Sequence, residues 1–234
     1  MDLNGYLAQF GQVESVDTSS FQRVVAKRLG DAWRTIPHVT HHDDVDVTAL
    51  EHYRKSLTAE QKVSPLIFLV KALVLALQAF PAFNSSLSED GKTLIYKKYF
   101  HIGIAVDGPL GLLVPVLRDA DQKSIATLAD ELRQLSNQAR EKGLPMQAME
   151  GGSMTISSLG GIGGTAFTPI INPPEVAILG ATRTRTIAHW NGKDFEPRQM
   201  MPLSLSYDHR VINGADAARF VAHIGEVLAS PETL

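Results

Sequence analysis

The chain has 234 residues, 44% of them hydrophobic and 20% charged, enough apolar material for one large domain or two small ones. With 22 Lys and Arg against 25 Asp and Glu the formal charge is −3, which argues against a general affinity for nucleic acid but leaves room for a local basic patch facing a phosphorylated cofactor. There is no cysteine, so disulfides, thiolate metal sites, iron–sulfur clusters and a cysteine nucleophile are excluded, and any thiol chemistry must use a thiol that arrives with the substrate.

Residues 1–19 are small and polar without clear periodicity and read as a linker end or an arm laid on another surface, with 20–234 as the folded domain. The opening residues lack the basic start and apolar run of a signal peptide, and the absence of cysteine fits a cytoplasmic setting. An amphipathic helix is expected over 21–35, where Val24, Val25, Ala32 and Trp33 stand among basic groups and Pro37 ends the pattern. The segment 38–47 reads as a strand, with Val39, Val45 and Val47 on one parity, and 48–57 as a short helix. Ser64 as cap and Pro65 at the first helical position open a helix that runs to about Phe80. It is apolar nearly all round, which predicts burial on most sides, and it falls short of the roughly 20 apolar residues of a membrane span.

A turn region over 83–93 leads to strands over 93–107 and 111–119, separated by Asp107-Gly108-Pro109-Leu110-Gly111. The clearest amphipathic helix follows, with Ile125, Leu128, Leu132, Leu135 and Ala139 on one face, Ser124 as cap and Gly143 at its end. Strands are expected over 153–160, 175–184, 186–190 and 199–208, with Asn191-Gly192 as a hairpin signal. A last helix over 213–229 turns Ala217, Phe220, Val221, Ile224 and Leu228 inward. No internal repeat and no regular βαβ rhythm is present, so a single α+β domain with a mixed sheet is predicted.

Three constellations carry possible chemistry. The glycine run 160–164 has the look of a dinucleotide loop, but three prolines and no helix follow it, so it reads as a packed or flexible loop. His38, His41, His42, Asp43 and Asp44 are metal-ligand types. Alternation along a strand puts His38 and His42 on one face and His41 on the other, which leaves no three-ligand set; no metal is expected. The third is the stretch 204–220, SLSYDHRVINGADAARF. Here His209 follows a strand directly and Asn213-Gly214 opens the last helix, a placement suited to acid–base work, although a lone histidine is more often structural.

The order HRVINGAD resembles the His-x-x-x-Asp-Gly motif of dihydrolipoamide acyltransferases and chloramphenicol acetyltransferases, and DHRVINGA is close to the former's DHRxxDGA. IPHVT (36–40), HIGIAVDGPLGLLVPVLRDA (101–120), TISSLGGIGG (155–164) and INPPEVAILG (171–180) also resemble the dihydrolipoamide acyltransferase family, so the likeness covers about residues 20–230. IPHVTHHDDVDVT and DHRVINGADAARF look most like the acetyl-transferring branch that serves bacterial pyruvate dehydrogenase complexes. The resemblance implies a chloramphenicol-acetyltransferase-like mixed sheet with packed helices, in a trimer. It implies acetyl transfer between a dihydrolipoyl thiol and coenzyme A, with His209 as general base, Ser157 of TISSLG as oxyanion donor and Asp107 on the channel wall. The lipoyl group would ride on a domain absent from this chain, which has the look of one piece of a multidomain protein. Asn213 stands where the family pattern usually has Asp, keeping the acceptor oxygen but not the charge. The resemblance further implies sites between subunits, a hollow core of 24 subunits, and lipoyl domains and other components of the complex as partners. Two further readings stand beside this one: a chloramphenicol-type O-acetyltransferase, or a succinyl or branched-chain acyltransferase. A third makes the chain a non-catalytic scaffold.

Overall fold

In the computed structural model, which describes residues 2–58, 61, 63–108 and 111–234, the Asp2 carboxylate accepts the Gly5 N–H at 2.7 Å and caps a short helix, α1 (Leu3–Leu7). The start of the chain therefore holds helical structure that its polar composition conceals. Through residue 19 every described residue is exposed. Next comes α2 (Ser20–Thr35), opened by a full capping box: Ser19 Oγ accepts the Gln22 N–H, and the Gln22 side chain accepts the Ser19 N–H.

The strand β1 (His38–Asp46) is followed by α3 (Thr48–Ser56) and α4 (Pro65–Ala79). Ile67, Phe68, Leu69, Val70, Leu73, Val74 and Leu77 of α4 are all buried, each such side chain contributing about 1.5–3 kcal/mol of hydrophobic stabilisation. The predicted strand over 93–107 is instead broken into β3 (Leu94–Tyr96), paired with β2 (Ser85–Leu87), then β4 (Ile102–Ile104) and β5 (Val106–Gly108). The reason is local capture. Asn84 Nδ2 donates to the carbonyls of Lys97 and Tyr99, and Ser153 Oγ donates to Tyr99, so this backbone is satisfied outside a ladder. The stretch 111–119 likewise splits into β6 (Gly111–Leu113) and β7 (Val116–Leu117) around Pro115, which has no N–H for a ladder.

Ser124 caps α5 (Ile125–Lys142) as expected, accepting the Thr127 N–H. Then follow β8 (Met154–Ser158), β9 (Ala177–Ala181), β10 (Arg185–Trp190), β11 (Phe195–Asp208) and α6 (Gly214–Leu228). The glycine run 160–164 leads into an irregular segment and then β9, not into a helix.

The main sheet has the order β1-β11-β9-β8-β4-β7, with β10 as a hairpin partner of β11. β8 pairs parallel with both β4 and β9, and the other junctions are antiparallel. One face carries Ile156, Leu179, Leu205 and Tyr207 into the main core beneath α4 and α6. The opposite face is polar apart from a small cluster of Ala32, Ile36, Ile171 and Ile178 under α2. Among the described residues no helix is long and apolar enough to cross a membrane.

Candidate active site

His209 sits one residue past the end of β11, on a turn with little freedom. Buried Asp208 accepts the Arg210 N–H at 3.0 Å and binds its guanidinium at 2.6 Å, while the Asp208 carbonyl takes the N–H groups of Val211 and Ile212. The bond to Asp208 holds the guanidinium above its usual range. The His209 N–H donates to the Pro37 carbonyl at 3.1 Å. Its imidazole is exposed, 5.8 Å from the Tyr207 ring, and among the described residues nothing hydrogen-bonds to it. A fixed backbone with a free, solvent-reached imidazole is the arrangement a proton acceptor needs.

Asn213 is the N-cap of α6. Its Oδ1 accepts the Asp216 N–H at 2.9 Å and its Nδ2 donates to the Asp216 carboxylate at 2.6 Å. Its amide therefore stabilises the helix start four residues beyond His209 and pairs with the acidic side chain in the first turn.

Ser157 lies on β8 in one row with Gly180 of β9, Ser204 of β11 and His42 of β1. This row faces away from the main core. Ser204 Oγ shares a hydrogen bond with His42 Nδ1 at 2.9 Å, and in the next row Thr40 and Ser206 share one at 2.8 Å. The Ser157 hydroxyl has no hydrogen-bond partner among the described residues. Ser158 falls in the row of Ala181 and Leu203, on the core side. Gly180 leaves room for a ring in the polar face: a methyl there would stand 2.7 Å from Phe167.

The pairing register separates the two residues singled out for chemistry. Ser157 stands level with Ser204 but two strands away, about 10 Å across the sheet; His209 is five residues further along, roughly 17 Å. Within one chain they cannot share a reacting atom. Asp107 is exposed on the separate β5–β6 hairpin opposite Leu112, and no described contact ties it to Ser157, His209 or Asn213; Pro109 and Leu110 of that turn lie outside the described residues.

In the histidine group near the chain start, His38 and His42 are tied into the fold, while His41 Nε2 is buried with no partner among the described residues. His38 Nε2 accepts the Ile171 N–H at 3.0 Å, so Nδ1 carries the proton given to the Ile36 carbonyl at 2.9 Å. Among the described residues no three His, Asp or Glu side chains converge as metal ligands. Sequence reasoning passed over Glu175, which is buried with one oxygen unpartnered. Burial pushes its carboxyl up to about 7, against the pull of Thr155 and Lys97. The available signal was a lone acid heading the apolar run EVAILGA.

A family model described as the 2-oxoacid dehydrogenases acyltransferase (catalytic domain) matches residues 10–234. The chain belongs to that family. The dihydrolipoyllysine-residue acetyltransferase component of the pyruvate dehydrogenase complex from Pseudomonas aeruginosa is 52% identical over 232 residues, covering 97% of this chain and 42% of that protein. The chain spans about two-fifths of the length of such curated relatives. A solved structure of Azotobacter vinelandii dihydrolipoamide acetyltransferase, concerned with the role of a serine, a histidine and an asparagine in its catalytic mechanism, superposes with a TM-score of 0.94 at 49% identity, covering 97% of this chain and 96% of that one. The cubic core of the pyruvate dehydrogenase multienzyme complex matches equally well, with a TM-score of 0.94, 50% identity and the same coverage. Chloramphenicol acetyltransferase shares the fold at 16% identity, with a TM-score of 0.61 over 93% of this chain and 99% of that one.

Proposed function

We propose that this chain is the catalytic core of an acetyltransferase that moves an acetyl group between a dihydrolipoyl thiol and coenzyme A within a pyruvate dehydrogenase complex. The observation that carries the reading is the separation of Ser157 from the exposed His209 turn. In the Azotobacter protein a serine, a histidine and an asparagine are the residues of mechanistic interest, at the intervals that separate Ser157, His209 and Asn213. Two of them stand too far apart in one chain to act together, so the site is completed by a neighbouring copy. The separation supports sites between subunits; the likeness to the cubic core of a pyruvate dehydrogenase complex supports the further reading of trimers assembled into a hollow core of 24 chains. The other partners are lipoyl domains outside this chain and the remaining components of the complex. The setting is cytoplasmic.

The chemistry follows from the two side chains. A thiol of ordinary pKa near 8.5 is only a few per cent ionised at neutral pH. The neutral His209 imidazole takes the thiol proton as sulfur attacks the thioester carbon. The carbonyl oxygen becomes an oxyanion, and the unpartnered Ser157 hydroxyl of the neighbouring chain donates to it, a contact worth about 10²–10³ in rate. When the intermediate collapses the old carbon–sulfur bond breaks, and His209 returns the proton to the leaving sulfur. Asn213 fixes the loop from behind by capping α6, and Asp107 lines the approach. No metal or redox group is required by this sequence of steps. Holding both thiols in one channel supplies much of the remaining acceleration.

Residues 1–19 serve as an arm on a neighbour. Leu3, Phe10 and Val16 are 70%, 74% and 81% exposed and offer apolar side chains to such a contact. Residues 231–234, after α6, contribute to contact between trimers: Pro231 is buried on its own chain, and Glu232 and Thr233 are exposed.

His209→Ala is expected to lower transfer between acetyl-CoA and dihydrolipoamide by at least about 10³-fold while the particle mass in analytical ultracentrifugation is unchanged. Near-normal turnover would remove His209 from the mechanism. Acetylation of an antibiotic hydroxyl with none of dihydrolipoamide would assign the chloramphenicol-type acceptor instead, and preference for succinyl or branched acyl groups would correct the acyl chain.

A further inference from the structure

We propose that Glu175 is a positioning residue for acyl transfer: through Thr155 it sets where β8 holds the Ser157 hydroxyl. The inference rests on the reading of Ser157 as the oxyanion donor.

Glu175 is 5% exposed. Its Oε1 accepts the Thr155 hydroxyl at 2.8 Å and the Asn172 amide at 3.4 Å, and its Oε2 is buried with no partner among the described residues. The carboxyl also lies hard against the backbone that leads into β8, since a methyl on Gly152 would stand 2.8 Å from Oε1. On the same stretch Lys97 Nζ reaches the carbonyls of Gly152 and Ser153, both at 3.3 Å. Residues 152, 153 and 155 are thus gripped by two buried or half-buried side chains, the Glu175 carboxyl and the Lys97 amine, from distant segments. Lys97 is the charged group that faces the carboxyl.

Burying a carboxyl with one oxygen unsatisfied is costly, and an apolar side chain would fill the site more cheaply. A local purpose is the natural explanation. Thr155 and Ser157 are two residues apart on one strand and so share a face. Ser157 has a pairing partner on the β9 side only, because β4 pairs with β8 no further than Ile156. The height and tilt of the Ser157 hydroxyl therefore depend on β9 and on the anchor upstream. An oxyanion donor must be held to a fraction of an ångström, so a shift at Thr155 is felt at the reacting oxygen.

The test measures kcat and KM for transfer between acetyl-CoA and dihydrolipoamide in the assembled protein. Thr155→Val replaces the hydroxyl with a methyl of similar size, and is made with Ser157 intact and in the Ser157→Ala background. We expect kcat to fall about tenfold with KM for both substrates within about twofold, and no further fall where Ser157 is already alanine. Thr155→Ser, which restores the hydroxyl, recovers most of the loss. Glu175→Gln, which keeps an acceptor oxygen, recovers most of what Glu175→Ala loses, and this pair decides the matter if the valine variant does not assemble. Unchanged kcat in Thr155→Val, or the same fold loss in both backgrounds, overturns the role of Glu175 and leaves Ser157 standing. Undiminished kcat in Ser157→Ala alone overturns the oxyanion reading, and this inference with it.

Discussion

Buried acids are where this chain departs most from what its composition suggests, and they differ in how they are satisfied. Asp208 is 2% exposed, yet it accepts from the Arg210 backbone and guanidinium, so its charge is answered at once. Glu175 has Thr155, a long bond from Asn172 and the nearby charge of Lys97, and burial raises its carboxyl from an ordinary 4.5 to about 7. The sign of the pH effect follows. The folded state keeps the proton across that interval and the unfolded state does not, so the contribution of Glu175 to stability is intact below about pH 4.5 and is lost as pH rises through 7. Lys97, held below its usual range by burial and pulled back by Glu175, acts only on the alkaline side. Glu175→Gln is therefore expected to gain on the order of 3 kcal/mol relative to the parent as pH rises from 4.5 to 8. Denaturant midpoints of both proteins at fixed protein concentration check this; a difference that does not move with pH would show that the carboxyl titrates as it does in water.

At the level of elements, the helix that follows His209 is the one whose cap bears on the site. Asn213 caps α6 through its oxygen and binds the Asp216 carboxylate through its nitrogen. An aspartate at 213 would place two carboxylates within hydrogen-bonding distance, so the amide of Asn213 is the better fit beside Asp216. Asn213→Ala is expected to cost about 1 kcal/mol of stability, the usual worth of such a cap, read from a denaturation midpoint. It should also lower kcat more than it raises KM, because the turn carrying His209 is tied to the same helix end. Loss of stability with unchanged kcat would confine Asn213 to its structural role. Caps were legible elsewhere too. Ser124 was readable because a cap needs only a polar side chain two or three residues from the N–H it accepts. At the other start Pro65 opens α4 as expected, but the Ser64 side chain makes no cap hydrogen bond, so the fixed φ of the proline carries that start. The break in the strand expected over 93–107 was not readable, because Asn84 and Ser153 capture that backbone from outside the segment.

For the whole molecule, the decisive quantity is the spacing between Ser157 and His209 in one chain, roughly 17 Å along the sheet and about 10 Å across it. If each site takes its serine from one chain and its histidine from the next, two inactive variants complement each other. Chains carrying His209→Ala, unfolded and reassembled with an equal amount of Ser157→Ala chains, should recover about a quarter of wild-type sites, because each site draws two independent residues at even odds. Separately assembled particles mixed after folding should recover none. Failure of the co-assembled sample to gain activity over either parent would place both residues in one chain's site, against the register.

What the order of residues determined by itself was local. Helix starts at Ser124 and Pro65, the burial of the apolar 65–79 helix, the opposed faces of His41 and His42, and the exposed turn holding His209 each depend on neighbours within a few positions, and short-range sterics and hydrogen bonding act over that span. Tertiary structure alone decided the strand order β1-β11-β9-β8-β4-β7, the burial of Glu175 beside Thr155, and the gap between Ser157 and His209. Those depend on which apolar faces are covered together, and that cost is minimised over the whole chain at once, so no window of the sequence contains it.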